Sequence, residues 1–329
     1  MNHGNVSKEI AAGLLALKTR IAAAKIPSSK IDETLNIATW NIREFGKVRR
    51  TEAAIHYVAE ILGQFDLIGI VELRDDLTDL GRVLQILGPT WRSVYSDMIP
   101  DAGGNRERLG FIYDKRAVTF NGLAAEANPP RVKHGEEYLS EKSFWRSPYM
   151  ASFKSGSFDF VVLTTHIRWG DDIEARMAEM ELLSGWIDTR FNNKFAEDHD
   201  LLVMGDFNTP RITDPIFDIL LSHGLKIPQP LVKLTVGDRV IDGSNLGFDA
   251  RYDQILHRAT IPENFTNKGG ALDFYVDEDS IEALFPGKNY TKEKFTYQMS
   301  DHLPIWIQVK TDIDGFRLDQ IVQDAPINR

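Results

Sequence analysis

The sequence predicts an α/β (α+β mixed) fold: two packed, mixed β-sheets flanked by helices. Three observations predict it. Helices and strands intermingle, but hairpins interrupt the order, so a regular parallel βαβ sheet does not fit. Several strand candidates are apolar almost throughout, such as "FDLIGIVEL" at 65–73 and "FDFVVLTTHI" at 158–167, as sheets buried on both faces require. No proline- or serine-rich linker divides the 329 residues, which suits one large domain with two similar lobes.

The elements follow in order. Ile10, Leu14, Leu17 and Ile21 recur at helical spacing, giving an amphipathic helix over 7–25 that ends near Pro27. Residues 1–34 are therefore expected to be a helical extension that covers the domain or pairs subunits; lysines and arginine break the form of a signal peptide. The main domain is expected over 35–310, with 311–329 a surface tail. "LNIATWN" at 35–41 reads as a strand, 50–62 as a helix, 65–73 as a strand and 76–87 as a helix. "WRSVYSD" at 91–97 and "RLGFIYDK" at 108–115 are strands divided by the glycine-rich loop 101–105, and 122–143 is a polar loop. "SPYMASFK" at 147–154 and the strand from 158 form a hairpin about Ser155-Gly156. Then come a helix over 172–190, the strand "DLLVMGDF" at 200–207 and a helix near 214–222. The strands "RYDQILHR" at 251–258 and "LPIWIQVK" at 303–310 follow.

Composition narrows the function classes. Apolar residues are 43% and charged residues 26%, an ordinary soluble balance, and no apolar run reaches membrane-spanning length. The absence of cysteine excludes disulfides and thiolate ligands and fits a reducing compartment. The expected location is cytoplasmic, with non-standard export left open. A net charge of −10 argues against a protein that coats nucleic acid non-specifically. It leaves room for an enzyme that touches a few phosphates through local arginines and a divalent ion.

The chemistry lies at strand ends. "LLVMGDFNTPR" at 201–211 runs from an apolar strand into Asp206 and Asn208. Asn41, Glu72 and His166 end other strands, Asp253 opens one, and "SDH" at 300–302 precedes another. Alone, each has a bland reading: a satisfied amide, a surface acid, an Asx turn after Gly205, a structural histidine. Strand ends share a rim, however, so the set can converge. Carboxylates and an amide oxygen are hard ligands suited to Mg²⁺, Mn²⁺ or Ca²⁺, with Glu72 the main candidate and Asn41 and Asp301 beside it. A histidine paired with an acid moves protons or meets phosphate, and arginine offers a planar fork for phosphate oxygens. Together these groups suit attack by water on a phosphoester.

On these residues the chain resembles the endonuclease/exonuclease/phosphatase superfamily, particularly its DNase I-like nucleases. The matching stretches are "IATWNIREFG" (37–46), "IGIVELRDD" (68–76), "NRERLGFIYDKRAV" (105–118), "FWRSPYMASF" (144–153) and "LTTHI" (163–167). They continue with "LLVMGDFN" (201–208), "RYDQILH" (251–257) and "SDHLPI" (300–305), in family order across 35–309. The resemblance implies a four-layer sandwich. It makes Glu72 the essential metal ligand with Asn41 beside it, and Asp301 an acid that can also ligate. His166 is implied to be oriented by Glu107 and His302 by Asp253, with Asp206 and Asn208 positioning water or phosphate. Arg74 resembles a residue reaching into the minor groove and Arg146 a phosphate contact; Arg168 and Trp169 can also touch substrate. The implied activity is a Mg²⁺-dependent phosphodiester hydrolase, a low-specificity DNA endonuclease. A phosphatase or phosphodiesterase for a small, inositol or lipid phosphoester is the alternative enzyme, and a non-catalytic binding protein the remaining one. Three features depart from the secreted or abasic-site branches: no signal-peptide form, no disulfides, and "TTHIRW" where abasic-site nucleases carry a different run. The acidic pair Asp171–Asp172 would repel a phosphate backbone unless it faces away.

Overall fold

The apolar runs become the inner strands of two sheets. The computed structural model describes residues 1–170, 172–196 and 198–324. In chain order its elements are α1 (Lys8–Ala23), β1 (Thr34–Phe45), α2 (Glu52–Leu62), β2 (Leu67–Leu73), α3 (Thr78–Leu87), β3 (Trp91–Tyr95) and β4 (Arg108–Asp114). Next are β5 (Thr119–Glu126), the hairpin β6 (Val132–His134) and β7 (Glu137–Leu139), β8 (Tyr149–Ser155), β9 (Phe158–His166), α4 (Ile173–Phe191) and β10 (Leu201–Asp206). The chain goes on through α5 (Pro215–Ser222), α6 (Gln229–Val232), the small ribbon β11 (Thr235–Val236) and β12 (Arg239–Val240), β13 (Asp253–Arg258) and β14 (Phe265–Ala271). It closes with α7 (Asp279–Leu284), α8 (Lys292–Gln298), β15 (Ile305–Lys310) and α9 (Asp314–Asp324).

One sheet has the order β14-β15-β1-β2-β4-β3 and the other β13-β10-β9-β8-β5. Each holds a single parallel pair, β1 with β2 and β9 with β10; the remaining pairs are antiparallel. Alternation along the strands separates the layers. Val162, Leu202 and Met204 join the core shared with the first sheet. Their neighbours Val161, Leu163, Leu201 and Val203 pack with Met180, Leu183 and Ile187 of α4 and Phe217 and Leu220 of α5. Gly69 marks where the sheets meet, since a Cβ there would lie 2.7 Å from Met204 Sδ. Helices α2 and α3 cover the other face of the first sheet, and α1 packs on α2 and α7. Helix, sheet, sheet and helix make the four layers. No helix among the described residues is long and apolar enough to cross a membrane.

Several elements escaped the sequence reading, for physical reasons. Residues 122–143 are not all loop: β5 runs to Glu126 and the β6–β7 hairpin follows. Strand β5 is interrupted by a register shift between Phe120 and Ala124, and Gly122 has φ +101°, which spoils its alternation. Strand β14 carries glycines because Cβ atoms at Gly269 and Gly270 would meet Pro230 at 2.9 Å and the Thr235 carbonyl at 2.4 Å. The expected surface tail contains α9, which the sequence reading did not resolve; residues 325–329 lie outside the described residues.

Candidate active site

The strand registers bring Asn41, His166, Asp206 and Asp253, with the neighbours of Glu72 and Glu107, to strand ends. In the second sheet, Asp206 pairs with His166 on one side and Asp253 on the other, while Tyr149 at the start of β8 pairs with Thr164 and Glu126. In the first sheet, Asn41 pairs with Val71, and Leu73 with Arg108 next to Glu107. Strand β1 does not end at Asn41 as expected; it shifts register between Asn41 and Phe45, and β2 does so between Ile70 and Leu73. Within the second shift Glu72 adopts φ +61°, a conformation a non-glycine residue keeps only when its surroundings hold it. They do: its amide donates to Glu107 Oε1 at 2.9 Å, and its Oε2 accepts from the Glu44 amide at 2.7 Å.

The Asn41 Nδ2 group donates to Glu72 Oε1 at 3.1 Å and Asp206 Oδ2 at 3.0 Å, tying the two sheets together. His166 Nδ1 lies 2.6 Å from Glu107 Oε1, and His302 Nδ1 lies 2.8 Å from Asp253 Oδ2. Both rings turn Nε2 towards Asp206 Oδ2, at 3.7 and 3.8 Å. Asp206 thus stands between two imidazoles, each backed by its own carboxylate. Asn208, at φ +49°, donates from Nδ2 to the Ile167 carbonyl at 2.7 Å, and its amide donates to Asp206 Oδ1 at 2.8 Å.

Electrostatics follow from this geometry. Burial opposes charge on His302, but Asp253, helped by Asp206 and Asp301, outweighs it and pushes the ring up to about 10. Burial likewise opposes charge on His166, yet Glu107 and Asp206 raise it. Burial works against the Glu107 carboxylate too, but His166 and Arg146 bring it down to about 2. The carboxylate behind each ring therefore shifts it towards the imidazolium form.

Arg146 is the residue that the resemblance makes a phosphate contact. It is 4% exposed, with Nε 2.6 Å from Glu107 Oε2, a charge contact rather than an aligned hydrogen bond. Its NH1 group donates to the His166 carbonyl at 3.5 Å. Arg74 is also buried, donating to Asn105 Oδ1 at 3.0 Å with Glu44 at 3.9 Å. Asp301 pairs with Arg43 at 3.8 Å. Arg168 is half-buried, its guanidinium 4.2 Å from the Trp145 ring centre. Asp172 caps α4 by accepting from the Ala175 amide at 2.9 Å; its partner Asp171 lies outside the described residues.

Two serines were missed. Ser244 donates to Asp253 Oδ2 at 2.6 Å, and Ser300 donates to the Asn41 carbonyl at 2.6 Å while accepting from the His302 amide at 3.1 Å. Ser300 adjoins the "DH" pair and was within reach of the sequence; Ser244 sits in a patternless loop.

A divalent ion fits the donor set. The Asn41 side-chain oxygen is buried with no hydrogen-bond partner among the described residues, while the amide nitrogen of the same side chain donates to the carboxylates of Glu72 and Asp206. These are hard oxygens of the kind Mg²⁺ takes. Asp206, Asp253 and His302 form a second group whose potential ligand atoms lie within 4.8 Å of one another.

The glycine of "GDFN" is needed for this arrangement. Gly205 has φ +131°, and a Cβ there would fall 1.9 Å from the Thr165 carbonyl. Gly205→Ala should destabilise the fold by about 3 kcal/mol or more and shift Asp206. Urea denaturation alongside turnover checks this; a variant of normal stability would mean the backbone there relaxes freely.

Comparisons with known proteins agree with the geometry. The chain matches the sequence profile of the Endonuclease/Exonuclease/phosphatase family over residues 38–302. It is 28% identical over 300 residues to a deoxyribonuclease of Thioalkalivibrio sp., covering 86% of this chain and 72% of the relative. It is 28% identical over 292 residues to deoxyribonuclease-1 of Sus scrofa, covering 84% of this chain and 92% of the relative. The human Nocturnin catalytic domain shares the fold, with a TM-score of 0.55 at 14% identity over 85% of this chain and 95% of that one. Because the profile runs from before Asn41 to His302, it takes in every strand that brings a residue to the rim: the chain belongs to the endonuclease/exonuclease/phosphatase family.

Proposed function

We propose that the protein is a Mg²⁺-dependent phosphodiester hydrolase that cleaves DNA with low sequence specificity. The observation that carries this reading is the exposure of the segment that would have to close over the site. Closure of residues 122–143 over the site would favour a small substrate; within that stretch residues 130–143 are exposed without exception, while Ala127 is buried. The β6–β7 hairpin within it is exposed, which supports a site that a long polymer can reach. The deoxyribonuclease relatives support the same substrate class.

Glu72 and the Asn41 side-chain oxygen would hold the ion, which when bound supplies positive charge to the phosphoryl oxygens. The chain's own groups do the rest. Asp206, the carboxylate between the two rings, takes the proton from the attacking water. The water oxygen bonds to phosphorus as the bond to the 3′ oxygen breaks, and one imidazolium gives that oxygen its proton. The other imidazolium and the Asn208 region hold the phosphoryl group. The product is a 5′ phosphate and a 3′ hydroxyl.

The test compares nicking of supercoiled plasmid with hydrolysis of a phosphomonoester panel under the same Mg²⁺ conditions. Plasmid should be cut, EDTA should abolish cutting, and Mg²⁺ or Mn²⁺ should restore it. Undiminished cutting by metal-stripped protein in chelator would remove the ion from the mechanism. Faster turnover of a monoester than of plasmid would transfer the site to a small phosphoester.

A further inference from the structure

Beside the catalytic rim lies an aromatic surface that the hydrolytic chemistry does not use. Trp145 directly precedes Arg146, which touches Glu107 and the His166 carbonyl. Arg168 and Trp169 follow two and three residues after His166. One buried side chain fixes both segments. Glu179, on α4 and 4% exposed, accepts from the Trp145 amide at 2.8 Å and the Arg168 amide at 3.1 Å. Helix α4 is packed on the second sheet through Met180, Leu183 and Ile187, so this post is anchored to the core. The Arg168 guanidinium lies over the Trp145 ring, 4.2 Å from its centre. Trp145 and Arg168 line a cavity of about 330 Å³ with Lys142, Phe144 and Leu182. Trp145 is 40% exposed and Trp169 76% exposed.

A single exposed tryptophan needs no explanation. One of them with a stacked arginine on a buried post, and a second one residue beyond that arginine in the chain and three beyond His166, do. We propose that Trp145, Arg168 and Trp169 form a stacking platform for an unpaired nucleobase next to the cleaved phosphodiester, so that the enzyme favours single-stranded over duplex DNA. This rests on the DNA-hydrolase reading above. An aromatic or guanidinium face binds a base only when the base's own π-face is free, and in a duplex neighbouring bases cover it. The charge balance points the same way. A protein of net charge −10 gains little from general attraction to a polyanion, and Lys142 is itself shared with Glu181 at 4.0 Å. Stacking supplies affinity that does not depend on counterion release.

The test uses the full chain in a His302→Ala background, so that bound DNA is not consumed. Affinity is measured for oligodeoxythymidylate and for a hairpin duplex of equal length. The parent should bind the single strand more tightly. Trp169→Ala and Trp145→Ala should each weaken single-strand binding by about tenfold, the scale of one lost base stack, with a smaller effect on duplex. Trp169→Phe keeps a ring and should retain most of the affinity. In the catalytically intact protein, the same alanine variants should lower kcat/KM on the oligonucleotide relative to bis(p-nitrophenyl) phosphate by a similar factor. Single-strand binding unchanged by Trp169→Ala, or equal losses on single strand and duplex, would overturn the platform. If the intact enzyme cuts no DNA yet the oligonucleotide binds in a Trp169-dependent way, the platform stands and the hydrolase reading falls. If neither occurs, both fall.

Discussion

Replacing His302 with alanine should lower kcat on DNA by at least about 10²-fold, the scale of positioned proton transfer, with no rescue by added Mg²⁺. The substitution removes only the ring. Trp40 Nε1 donates to the His302 carbonyl at 2.8 Å and the His302 amide to Ser300 Oγ at 3.1 Å, and both bonds survive in alanine. A rate loss with an unchanged melting temperature therefore reports the imidazole itself. His166→Ala should lose a similar factor, because its Nε2 faces the same Asp206 oxygen from the opposite side. Asp253→Asn should be milder than His302→Ala, since the ring stays but loses the charge that keeps it protonated. Normal turnover by either alanine variant, at saturating metal and substrate, would make that histidine structural.

That the two rings converge was legible from "LTTHI" and "SDHLPI" as strand-end motifs, because a shared rim follows from the sheet architecture. The layers were legible for a similar reason: nearly continuous apolar runs such as "FDLIGIVEL" have no home except between covered sheets. What the sequence could not convey was the direction of the arginines. Arg146 sits in "FWRSPY", which reads equally well as an open strand edge, yet the carboxylate it meets is 39 residues away in β4's approach loop. Arg74, beside Asp75 and Asp76, reads as an exposed pair and instead is held under Asn105. Glu179 gave no signal at all, since its two partners are backbone amides from separate loops. Side chains whose partners are backbone atoms leave no residue-type pattern to read.

The burial of Arg146 changes what Glu107 should do. By analogy with Asp253, Glu107→Gln would be a mild defect in histidine orientation. Glu107, however, is 1% exposed and serves three groups: His166 Nδ1 and Arg146 Nε at 2.6 Å each, and the Glu72 amide at 2.9 Å. Glutamine keeps the shape and creates no cavity, but it leaves two buried cationic groups without their shared carboxylate. Removing one partner from a buried ion pair costs about 3–5 kcal/mol, so Glu107→Gln should be destabilised on that scale and also slow. The double variant Glu107→Gln/Arg146→Met separates the two effects. Taking away the orphaned guanidinium with an apolar side chain of similar length should recover most of the stability. The rate should stay low, because His166 still lacks the carboxylate that orients and charges it. Urea denaturation and kcat, measured on both variants, decide the matter. A Glu107→Gln protein as stable as the parent would show that Glu107 does not balance the charge of Arg146. A fully active double variant would show that His166 is positioned by something else.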